Sequence, residues 1–168
     1  MSSTLICYDG SPSSSRALEV AGRSLGQQRK ILLDVWTAPE RVHADYFGFE
    51  QHDGGPSYDR LCDLLERQTQ EILDDGVLRA AALGIEVQTR AERSRSSVWQ
   101  TILDVADELD SDLILAGTPG AIDVQTGLLG RVSSALVRHS RRPVLVVPRV
   151  DWAPPADGAG DVDTDRVR

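Results

Sequence analysis

The sequence predicts an α/β fold: an open five-stranded parallel sheet with helices on both faces. Short apolar runs of β character alternate with longer segments of helical period over most of the 168 residues. A β-α-β-α-β-α-β-α-β order of this kind returns each strand in the same direction, because every crossover is right-handed. The run ILLDVW is apolar almost throughout, as expected of a strand covered on both sides. With 40% hydrophobic and 26% charged residues, the chain has the composition and size of one globular domain.

The first strand is TLICYD, residues 4–9, which ends in a carboxylate. Gly10-Ser11-Pro12 follows as a turn and helix start, with Ser11 suited to cap and Pro12 to the first helical position. Ala17, Leu18, Ala21 and Leu25 then recur at helical spacing until Gly26, and ILLDVW at 31–36 is the second strand. Residues 37–56 hold Pro39, Gly48, Gly54, Gly55 and Pro56 without a period, a long connection that reads as a functional flap or a mobile loop. Its Tyr46, Phe47 and Phe49 could either close over a ligand or pack on the body.

Leu61, Leu64, Leu65, Ile72, Leu78, Ala81 and Ala82 mark one long helix that stops at Gly84. IEVQTRAE at 85–92 alternates as a third strand, Ser94 to Ser97 offers caps, and Val98, Ile102, Val105, Ala106 and Leu109 form the next amphipathic face. DLILA at 112–116 is the fourth strand. A glycine-spaced segment from Gly117 to Gly130 leads to a helix bearing Val132, Ala135 and Leu136, and PVLVVP at 143–148 is the fifth strand. The domain is thus expected over 1–149, and residues 150–168, with five aspartates and two arginines, are expected to be a disordered acidic tail.

Eighteen basic residues against 26 acidic give a net charge of −8, so no long-range field gathers nucleic acid or anionic lipid. Any bound anion must be held by local geometry. No apolar stretch approaches the roughly 20 residues that span a bilayer. Cys7 and Cys62 form no CxxC pair and the N-terminus has no secretion signal, which together point to the cytoplasm. Cys7 reads as a small buried hydrophobe. His43, His52 and His139 have no metal-ligand spacing, and His139 suits a helix C-terminus.

Ligands of open parallel sheets sit beyond the strand C-termini, where Asp9, the end of ILLDVW and the glycine segment converge. Glycines allow close backbone approach to a phosphate, and the free N–H groups of a helix N-terminus favour an anion. No Gly-Lys-Ser/Thr follows, so this is not a Walker loop. Gly117, Gly120 and Gly130 have the Gly-x2-Gly-x9-Gly spacing of ATP-binding universal stress proteins. TLICYDGS, LLDVW and VSSALVRHSRRPVLVVP extend the resemblance to that family over residues 4–148.

The resemblance implies a Rossmann-like sheet of strand order 3-2-1-4-5 and a bound adenine nucleotide, ATP or AMP, with Mg²⁺ as an open companion. Asp9 would lie beside the nucleoside and the Val35 backbone would meet adenine. Gly117 and Gly120 would line ribose and phosphate, and Gly130 with Ser133 would hold phosphates. The fifth strand, 143–148, would pair two copies into a homodimer. Arg131 departs from the family pattern, standing where a small hydroxyl residue follows the last glycine; its guanidinium can still reach phosphate. Asp123 in the glycine segment works against anions.

Plainer readings stand beside these. Asp9 also suits a cap of the first helix, the glycines also suit turns and tight packing, Ser133 and Ser134 suit a helical first turn, and Arg131 suits a solvated one. No Ser-His-Asp order, acid pair or Cys-His arrangement supports a catalytic set, so a binding module is expected, with at most slow hydrolysis or self-phosphorylation. The alternative is a nucleotide-free interaction homodimer of the same fold. A dinucleotide oxidoreductase is disfavoured, because the first βα turn, Asp9 to Pro12, lacks GxGxxG.

Overall fold

The computed structural model describes residues 2–39, 58–118 and 130–148. Expectations for residues 40–57, for the acidic tail, and for Gly120 and Asp123 lie outside the described residues. Nine elements alternate: β1 Ser3–Cys7, α1 Pro12–Ser24, β2 Arg29–Trp36, α2 Tyr58–Ala82, β3 Gln88–Arg93, α3 Val98–Glu108, β4 Leu113–Gly117, α4 Arg131–His139 and β5 Val144–Val147. All strand pairs are parallel and the order is β3-β2-β1-β4-β5. This is the expected doubly covered sheet.

Two cores fill its two faces. Ile6, Tyr8 and Leu32 meet Ala17, Leu18 and Ala21 of α1 and Leu73 and Ala80 of α2 on one side. Leu5, Ile31, Leu33, Ile114 and Ala116 meet Ile102, Val105 and Ala106 of α3 and Leu136 of α4 on the other. Strand alternation sends successive residues to opposite cores, which is why both faces of an apolar strand are used. The two β1–β2–β3 crossovers therefore share one face and the later helices the other, so the connections part between β1 and β4. That is the switch point where a crevice opens.

The local signals place the site's walls. Ser11 is the N-cap of α1, accepting the Ser14 N–H at 3.2 Å, with Pro12 at the start of the helix. Ser97 caps α3, accepting from Gln100 N–H at 3.4 Å. The long helix is corrected in its contact face: Leu64 and Leu78 are 60% and 71% exposed, and the buried stripe is Thr69, Leu73, Gly76 and Ala80. Small residues let α2 approach closely. A Cβ on Gly76 would lie 2.8 Å from Tyr8 Cε1 and 2.9 Å from Leu32 Cδ1, so the stripe is set by clearance rather than by leucine content. Strand β3 begins at Gln88, three residues later than the alternation suggested, and β1 ends at Cys7, leaving Tyr8 and Asp9 beyond it.

Candidate nucleotide-binding cleft

At the switch point a cavity of about 540 Å³ opens between the ends of β1, β2 and β4 and the first turns of α1, α3 and α4. Asp9, Val35, Gly117, Gly130, Arg131 and Ser133 all line it, so the structure brings together every sequence-chosen site residue within the described residues. Tyr8, Ser13, Ser14, Asp34, Val98 and Ile102 complete much of the wall and were not singled out from sequence.

One edge of the cleft is bare backbone. Cys7–Leu33 is the last register pair of β1 with β2, and Tyr8 N–H donates to the Leu33 carbonyl at 2.8 Å. On the other side of β2, the Trp36 carbonyl accepts from Ser94 N–H beyond β3 at 2.7 Å. Alternate residues of a parallel strand turn their peptide groups to the same neighbour, so Val35 faces the side of Leu33, where β1 has already ended. Its C=O thus forms an acceptor edge along the cavity, while its N–H serves the neighbouring Asp34 carboxylate.

The opposite wall is the start of α4. Gly130 is its N-cap and is buried, with no side chain to satisfy the first-turn N–H groups. With no side-chain cap among the described residues, these donors and the helix dipole make a locus for negative charge. Arg131, exposed on the same turn, has no ion-pair partner among the described residues. Ser133 is 3% exposed and its hydroxyl donates to the Gly117 carbonyl at 3.1 Å. Its proton is therefore committed to β4, and the Ser133 oxygen can only accept. Gly117 is held to glycine by packing: a Cβ there would lie 2.3 Å from the Ser13 carbonyl oxygen.

Carboxylates gather at the end near β1 and β2. Asp9 sits at the rim and accepts the Ser11 N–H at 3.0 Å, while Ser11 rather than Asp9 caps α1. Burial opposes its charge, yet the Ser11 and Ser14 hydroxyls and the Ser11 N–H together hold it below the usual aspartate value. Asp34 is 8% exposed, and burial, with the Asp9 charge adding to it, pushes its carboxyl up to about 6. Cys7 also lines the cleft, but burial and then the Asp9 charge push its thiol up to about 12, which makes it a poor nucleophile near neutrality.

The Asp34 shift has a measurable consequence. Well below pH 3.8 the carboxyl is neutral in folded and unfolded chains alike; as pH rises from there to about 6 the unfolded chain ionises first, so stability falls as pH rises. Asp34→Asn removes that penalty. The gain in melting temperature over the parent should be clearly larger at pH 7.5 than at pH 4 in paired thermal melts, whereas a constant difference at both values would show that the charge is not the cause.

A sequence model of the universal stress protein family matches residues 1–148. The chain belongs to the universal stress protein family. A Mycobacterium tuberculosis universal stress protein is 30% identical over 154 residues, covering 86% of this chain and 47% of its own length. The chain thus spans about half the length of that relative. A Staphylococcus saprophyticus protein ascribed to the family is 30% identical over 171 residues, covering 99% of this chain and 93% of its own. Among solved structures, an Arabidopsis thaliana universal stress family protein with AMP bound superposes with a TM-score of 0.60 at 17% identity, covering 94% of this chain and 97% of that one. That likeness concerns the fold.

Proposed function

We propose that this universal stress protein binds an adenine nucleotide, ATP or AMP, in the switch-point cleft and acts as a cytoplasmic regulatory binding module. The observation that carries the reading is the polarity of the cleft: the Val35 peptide edge lines one side and the uncapped α4 N-terminus with Arg131 the other. Adenine presents an exocyclic donor, which matches the Val35 carbonyl on the strand edge, and phosphate matches the helix end. The AMP bound to the Arabidopsis relative supports the same ligand class.

Among the described residues no three His, Cys, Asp or Glu side chains cluster as metal ligands. Mg²⁺, which keeps several waters and binds through one or two carboxylates plus phosphates, would therefore arrive with ATP rather than in a protein cage. Titration calorimetry with ATP, AMP and adenosine tests the proposal. Heat of binding supports it, and no heat with no thermal shift at millimolar nucleotide would leave the nucleotide-free homodimer as the reading.

Pairing through β5 belongs to the same proposal. Of the two edge strands, β3 carries Arg90, Glu92 and Arg93, charges that discourage further pairing, whereas β5 is Val144–Val147 with Leu145 38% exposed. Light scattering at micromolar concentration should report twice the chain mass, and a Leu145→Lys variant should shift towards monomer. A parent protein of single-chain mass would end the pairing proposal.

A further inference from the structure

We infer that Asp34 selects a ligand whose base carries an amino group, an inference that rests on the nucleotide reading above. Asp34 is more than nine-tenths buried, lines the cleft, and precedes the residue whose peptide edge faces it. The Val35 N–H and the Thr69 hydroxyl of α2 favour its charge. Asp9, from the end of β1, opposes it. Among the described residues no lysine or arginine reaches ion-pair distance of Asp34; the cleft's cation, Arg131, sits on α4.

An ionised carboxylate is acceptor-only, with about four lone-pair sites, and two neighbouring donors leave capacity unused. Burying that capacity unmet is costly, so a donor supplied by the ligand is favoured there. An adenine amino group held by the Val35 carbonyl has a second N–H free for Asp34. A keto base such as hypoxanthine brings an oxygen to the same place, where it meets the carboxylate as one acceptor against another. The site thereby gains discrimination from repulsion as well as attraction.

The test measures dissociation constants for AMP and IMP, which share phosphate and ribose, on the full chain and on Asp34→Asn. The parent is expected to prefer AMP by about tenfold to a hundredfold, the range of a hydrogen bond to a charged group. Asp34→Asn, whose amide can turn either a donor or an acceptor to the ligand, is expected to cut that preference by at least about threefold without erasing it, because the Val35 carbonyl still meets the hypoxanthine oxygen as acceptor against acceptor. Circular dichroism establishes that the variant is folded, and Asp34→Glu is expected to restore part of the preference. An unchanged AMP-to-IMP ratio in folded Asp34→Asn, or a parent that binds both equally, would overturn the selection while leaving nucleotide binding intact. A parent that binds neither ligand would overturn both.

Discussion

Gly117→Ala should melt roughly 5 to 10 °C below the parent. The added Cβ would lie 2.3 Å from the Ser13 carbonyl oxygen and 2.5 Å from its carbon. Both are main-chain atoms in the first turn of α1, so no side chain can swing aside, and β4 must separate from α1. Overpacking of this kind costs about 1–3 kcal/mol, occasionally more. At about 2–4 °C per kcal/mol for a domain of this size, a cost near the top of that range gives the stated drop. Differential scanning calorimetry measures it directly. A melting temperature within a degree of the parent would mean that the two segments yield freely and that Gly117 answers to the ligand alone.

Arg131→Ala should weaken ATP by about tenfold to a hundredfold and leave adenosine almost unchanged, because only ATP offers phosphate to a guanidinium. Arginine in the first turn of a helix is opposed by the dipole, so its presence at the mouth of this cleft makes sense when an anion stands between them. Calorimetric titration of both ligands into parent and variant separates the possibilities. Equal losses for ATP and adenosine, or none, would return Arg131 to the solvated surface.

The alternation of strands and helices and the two-faced core were legible because the apolar runs are short, separated by helical periods and capped by Ser11 and Ser97, all local features, whereas the strand order came from the family resemblance. The cleft was legible in its glycines and in Asp9, which fall at strand ends. Asp34 was overlooked because it lies inside the apolar run ILLDVW, although a lone carboxylate in such a run is itself a signal. Ser13, Ser14, Val98 and Ile102 carry no motif and reach the cleft only through tertiary packing. Leu64 and Leu78 misled for a related reason: the contact face of α2 depends on how near the sheet allows it to come, which Gly76 sets and hydrophobicity does not. Gly117 was chosen for ligand approach, but the clearance that demands glycine there belongs to Ser13, a partner 104 positions away that only the fold reveals.

The Ser133 hydroxyl grips the same glycine from the other side, through the Gly117 carbonyl. The opening turns of α1 and α4 are thereby clamped to one point on β4, like two levers sharing a fulcrum. Such a clamp also limits inheritance: a descendant that enlarges position 117 must first rebuild the turn at Ser13 and find the Ser133 proton another acceptor, so these three positions should drift together or not at all.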